Sequence, residues 1–312
     1  MNKLNLLTPR EVLEQVSQAL PEGLREQVII IGSLAAGYHF FAGDGAAAIR
    51  TKDVDCLFSP HATAVAAAAT VTEQLLKAAW TQREDVTWGA PGNAEQNLEE
   101  LPMVRLKPPG GVADSSQWFL ELMSAPPQYA PGAPGKKLQR VITSFGDFAI
   151  CSFDFLALAE WNPLPTQFGV RTARPEMMAL ANMLHHLAIS DVLIAGTDYK
   201  RSNKDLGRVL ALAHLTTIRD ARDSTDELAQ WPARMAEALR AKFGAEAGRL
   251  AAEAGTGVNA MLDSETDLAQ GLRIANLGLL ATMDLGLEAI RATGRRFQAE
   301  VLEPLSEPAR DA

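Results

Sequence analysis

Apolar positions change their spacing along the chain, and the change predicts two kinds of architecture. Over 7–20 the apolar residues Val12, Val16 and Leu20 recur at helical intervals, with Thr8 placed to cap the helix and Pro9 just inside it. Val28 to Ile31 is a run of four apolar, β-branched residues, which suits a buried strand. Gly32-Ser33 ends it, and 34–41 reads as the start of a helix. A second strand is expected over 53–58 and an alanine-rich helix over 61–80. Further strands are expected over 84–88, 103–107 and 118–123, and a proline- and glycine-rich loop over 124–135. The apolar stretch 148–161 reads as a strand turning into a short helix, and 168–172 as a last strand. From Pro175 onward the pattern is helical: 175–188, 204–217, then Ala/Leu/Glu-rich segments to Leu302, with 303–312 frayed. The expected fold is α+β, a mixed-sheet domain over 1–174 followed by an all-helical domain over 175–312.

Composition narrows this picture. The chain has 312 residues, 47% hydrophobic and 21% charged, enough for two cores. No apolar window is long enough for a membrane helix, and the polar start from Met1 to Arg10 has no secretory h-region, so a cytoplasmic protein is expected. Cys56 and Cys151 both lie in apolar runs and read as reduced, buried thiols. The net charge of −9 argues against extensive binding to duplex DNA, because that affinity comes from neutralised phosphates.

Candidate chemistry concentrates between residues 29 and 58. Gly32 permits close backbone approach to a ligand, and the following helix N-terminus offers N–H groups to phosphate, with the Ser33 hydroxyl beside them. Asp53 and Asp55 alternate with Val54 and Cys56, so both carboxylates share one strand face. Such a pair repels itself unless a cation intervenes, and hard oxygen ligands suit Mg²⁺. Glu121, inside the apolar run from Trp118 to Met123, is the candidate third ligand. Asp154 is its rival, ranked lower because it falls where the chain turns helical and faces water. His39 is expected to be structural. Of His185 and His186, one is expected to pack inside and the other to face solvent.

The order of these features resembles the nucleotidyltransferase (polymerase-beta-like) superfamily. Gly32-Ser33-Leu34-Ala35-Ala36 and Arg50-Thr51-Lys52-Asp53-Val54-Asp55 look like bacterial stand-alone members, including AbiEii-type toxins. Leu120-Glu121-Leu122 is similar to their third-carboxylate strand. Val170 to Glu176 is similar to the strand and proline leading into their helical domain. Arg201-Ser202-Asn203-Lys204-Asp205 resembles their Arg-x-x-Lys-Asp segment. The chain departs from the pattern in the added Gly43-Asp44-Gly45-Ala46 stretch and in Asn182, where relatives tend to carry lysine.

The resemblance implies a two-metal Mg²⁺ site on Asp53, Asp55 and Glu121. It further implies a nucleoside triphosphate held by Gly32, Ser33, Arg50, Arg201, Lys204 and Asp205, with Ser33 and Lys204 facing each other across it. The implied reaction moves a nucleoside monophosphate to an acceptor hydroxyl: a tRNA end, a protein or a small molecule. An antitoxin-like protein partner belongs to the same picture. The alternative is a non-catalytic nucleotide-binding or protein-interaction module on the same fold.

Overall fold

The computed structural model describes residues 6–41, 48–83, 90–110, 118–127, 137–190 and 192–307. The chain is mixed α and β and divides into two compact units. One comprises Met1–Tyr38 and Arg50–Ala173, the other His39–Ile49 and Arg174–Ala312. The expected strand at 84–88 and the insertion at 43–46 lie outside the described residues, as does most of the 124–135 loop.

The first unit is built on one mixed sheet, which holds nine strands among the described residues. They are β1 (Val28–Ile31), β2 (Asp53–Phe58), β3 (Thr81–Gln82), β4 (Arg105–Lys107), β5 (Phe119–Ser124), β6 (Lys137–Thr143), β7 (Gly146–Ser152), β8 (Leu164–Pro165) and β9 (Arg171–Thr172). The main path runs β3-β4-β5-β2-β1-β9-β8, and β7 joins β5 to β6. β1 and β2 are antiparallel, whereas β2 and β5 are parallel. Each of the six residues of β5 is buried, which fits a strand with neighbours on both sides. β2 instead alternates at its start, with Val54 and Cys56 fully buried and Asp53 and Asp55 half-buried. Three helices accompany the sheet: α1 (Pro9–Ala19), α2 (Gly32–Phe41) and α3 (His61–Lys77). α1 begins at Pro9 behind Thr8 as expected, although the Thr8 side chain makes no capping bond.

Three expectations about elements are corrected. The strand expected at the start of 148–161 is β7, but its hairpin partner β6 was not expected, because it carries Lys137, Gln139 and Arg140 among its apolar residues and shows no clean alternation of burial. The strand expected over 168–172 is only Arg171–Thr172, since Gly169 takes φ +83° in the turn that precedes it. The carboxy-terminal helix runs on through Ser306, so only 308–312 remain outside the description.

The second unit is helical: α4 (Pro175–Ile189), α5 (Ser202–Asp223), α6 (Glu227–Phe243), α7 (Ala247–Ala254), α8 (Thr256–Asp263), α9 (Glu265–Leu277), α10 (Leu287–Phe297) and α11 (Glu303–Ser306). Trp231 and Phe297 meet edge-to-face in its core, ring centroids 6.0 Å apart. α5 and α9 approach through glycines: a Cβ on Gly207 would lie 2.5 Å from the Gly271 carbonyl oxygen. The buried carboxylate of Asp220 accepts from the backbone N–H groups of Glu227 and Leu228 at 2.8 and 3.0 Å, capping α6. Among the described residues, no helix is long and apolar enough to cross a membrane.

Candidate metal and phosphate site

The sequence-expected site begins at the junction of β1 and α2. Gly32 is the first residue of α2 and adopts φ +71°, a conformation that favours glycine. A Cβ at Gly32 would stand 2.7 Å from Asp55 Oδ2. Glycine is therefore required twice over, for its backbone angle and because the Asp55 carboxylate lies against it. The register explains the approach: Asp55 pairs with Ile31, one residue before Gly32. Asp55 is thus set beside the N-terminal turn of α2, where unpaired backbone N–H groups gather. Ser33 follows, half-buried.

Asp53 stands two residues earlier on the same face. The Thr51 hydroxyl donates to the Asp53 carbonyl at 2.9 Å and to its Oδ1 at 3.0 Å, fixing how the chain enters β2. The Cys56 thiol on the opposite face is pushed well up, chiefly by burial and further by the charge of Asp55, so it stays a thiol. Both cysteines are free and buried. Arg50 lies close before the pair in sequence, and its buried Nε has no hydrogen-bond partner among the described residues.

Glu121 is brought to this face but held differently. Its cross-strand partner on β2 is Asp55, so it shares the face of both aspartates. On its other side it pairs with Arg105 of β4, whose Nη2 donates to Glu121 Oε1 at 2.9 Å. Arg105, which the sequence reading passed over, is the nearest charged partner described for Glu121. Among the described residues, no three His, Cys, Asp or Glu side chains are gathered closely enough to hold a metal ion. Asp154 was expected to face water. It is instead buried in a short 3₁₀ segment and bonded to Lys137 at 3.2 Å.

The remaining candidates belong to the helical unit. Arg201 and Lys204 are exposed at the start of α5, whereas Asp205 is buried and meets His185 Nδ1 at 2.8 Å. Nothing local predicts that pair, since twenty residues separate its members along the chain. Nearby, Lys200 and Asn203 bond Asp267 at 2.7 and 3.0 Å. Burial works to raise the Asp267 carboxyl, but bonds from Lys200, Asn203 and Ser264 outweigh it and hold the group below its usual value.

His39 accepts a hydrogen bond at Nε2 from Arg219 at 2.8 Å, and its carbonyl accepts a second at 3.2 Å. Burial, then the charges of Arg219 and Arg174, lower its pKa to about 4, so it is neutral at pH 7 and structural. No protein-family model, curated protein or solved structure matches the chain.

Proposed function

We propose that the β2 face and the β1–α2 turn form a divalent-metal and triphosphate site, and that the chain is a Mg²⁺-dependent nucleotidyltransferase of the polymerase-beta-like kind. One observation supports this above the others: the Asp55 carboxylate lies against Gly32, at the N-terminus of α2. That juxtaposition sets a metal-binding oxygen beside backbone donors that suit phosphate, which is the combination a metal–triphosphate complex requires. The residues fit the group: two carboxylates on one strand face, a glycine that clears the approach, and an arginine Nε lacking a partner among the described residues.

In this reading Asp53 and Asp55 hold the ion, and Ser33 with the first N–H groups of α2 hold phosphate oxygens. Arg50 neutralises charge. The bound ion would offset triphosphate charge and lower the pKa of an attacking hydroxyl. Positioning and electrostatics supply most of the rate in such transfers, so the rigid placement of Asp55 by the β1–β2 register is what the fold contributes. The acceptor is an RNA end, a protein or a small molecule.

A second reading keeps the fold as a nucleotide-binding module without transfer. The ion pair between Glu121 and Arg105 favours it, because it engages the expected third ligand, and Asn182 in place of a family lysine agrees. Pyrophosphate release with Mg²⁺, each nucleoside triphosphate and mixed acceptors decides between the two. Release that vanishes in Asp53→Asn supports transfer, and nucleotide binding without release supports the module.

A further inference from the structure

Between α4 and α5 the chain doubles back on itself. The Ile194 N–H donates to the Tyr199 carbonyl at 2.8 Å, and the Arg201 N–H donates to the Val192 carbonyl at 2.7 Å. Leu193 thereby faces Lys200 across a short two-stranded antiparallel arm. In this part of such a ladder the N–H and carbonyl of Leu193 point away from Lys200, to the open edge. Neither group makes a hydrogen bond among the described residues. The side chains along that edge are apolar and meet water: Val192 is 45% exposed, Leu193 57% and Ile194 36%. Adjacent apolar residues on a bare strand edge are a template for another extended chain.

Charge selects which chain. An arginine stands at each end of the apolar edge. At one end is Arg201, bonded through its backbone to Val192. At the other is Tyr199, bonded to Ile194, and over it lies Arg273 of α9. Arg273 Nη1 donates to the Tyr199 hydroxyl at 2.6 Å, and its guanidinium carbon is 5.6 Å from the ring centroid. Both arginines are exposed, and neither has an ion pair among the described residues. Lys200 between them is held by Asp267 at 2.7 Å, and the exposed Asp198 in the turn is one acid against two guanidinium groups. A second copy would bring the same arginines together, on chains that each carry a net charge of −9. That net charge also opposes an anionic membrane. We propose that the 192–194 edge takes up an extended segment of a partner protein, apolar at its centre and acidic on both flanks. The segment adds as a strand: its central residue exchanges both backbone hydrogen bonds with Leu193, and its flanking carboxylates meet Arg201 and Arg273. Nothing in this surface depends on the metal reading of the β2 face.

Fluorescence anisotropy of a labelled Glu-Glu-Val-Ile-Val-Glu-Glu peptide, titrated with the full chain, tests this. The wild type should bind it at least about tenfold more tightly than Lys-Lys-Val-Ile-Val-Lys-Lys. Methylating the backbone nitrogen of the central Ile removes its donor to the Leu193 carbonyl and should weaken binding about tenfold. Leu193→Asp should weaken it by at least about as much, since it sets a carboxylate on the apolar edge. Arg201→Glu/Arg273→Glu should reverse the preference between the two peptides. Absence of binding, equal binding of both peptides, or indifference to the methyl group overturns the proposal. A dimer in sedimentation that Leu193→Asp abolishes would give the edge to a second copy. Binding to phosphatidylserine vesicles that Leu193→Asp abolishes would give it to a membrane. Displacement of the peptide by Mg²⁺ with a non-hydrolysable ATP analogue would return Arg201 to the nucleotide. Each of these three outcomes also overturns it.

Discussion

The two units compensate their acidic side chains in different ways. In the helical unit the buried or half-buried acids described have partners supplied by the fold. Asp220 takes the first N–H groups of α6, Asp205 meets His185, and Asp267 meets Lys200 and Asn203. Glu176, whose carboxyl burial pushes up, has Arg174 and Arg234 within 3.5 and 3.3 Å. In the sheet unit Glu121 and Asp154 follow the same rule, with Arg105 and Lys137. Asp53 takes its bond from a neutral threonine hydroxyl, and the Asp55 carboxylate lies against Gly32. An acid given its own cation holds the structure together, whereas in the proposed reading Asp53 and Asp55 meet a charge that arrives from outside.

Substitutions of acids sharpen that contrast first. Asp220→Ala leaves two N–H groups of α6 without their acceptor and should cost about 3 kcal/mol in chemical denaturation, near the top of the range for a charged partner. Asp53→Asn should stay within about 0.5 kcal/mol of wild type in the same assay. A large loss there would class Asp53 with the structural acids.

Acid provides the next test, directed at the helical unit. His39 has a pKa of about 4 in the fold against 6.5 in the unfolded chain. The unfolded state thus binds a proton first as pH falls. The contribution is fully present above pH 6.5 and is lost as pH falls toward 4. It is worth about 3 kcal/mol in all. His39→Gln keeps an acceptor for Arg219 and does not titrate, so it should flatten that part of the stability profile between pH 6.5 and 4.

Gly32→Ala is expected to cost about 2 kcal/mol, because it adds a left-handed backbone penalty to a clash with the Asp55 carboxylate. Metal-dependent nucleotide binding should fall with it. Retained binding would mean that the close approach of Asp55 to Gly32 has no part in the site.

How much of this was legible depended on whether the deciding contact was local. Val28–Ile31, Gly32-Ser33 and Asp53–Phe58 were readable because strand alternation and the glycine are sequence-local facts, and the register then sets Asp55 beside Gly32. Glu121 was expected to share their face as a third ligand, and it does because β5 pairs with β2 in register. Its tie to Arg105 did not follow, because the pairing of β4 with β5 depends on sheet order, which no spacing in the sequence encodes. β6 was missed for a related reason. Its outward charges find Asp154 and Asp147 only after the hairpin has formed, so its own pattern reads as loop. The partnership of His185 with Asp205 joins two helices and was equally out of reach. Helices α4 and α5 were visible from periodicity, since burial of one face is written every three or four residues.

The central claim is that Asp55, held against Gly32, binds a divalent ion that a triphosphate shares. Titration of a non-hydrolysable nucleoside triphosphate into wild type and Asp55→Asn, each with and without Mg²⁺, tests it most directly. The wild type should bind only with Mg²⁺, and Asp55→Asn should lose that dependence while its thermal melt is unchanged. Binding of equal strength in both proteins, or binding by the wild type that ignores Mg²⁺, would contradict it.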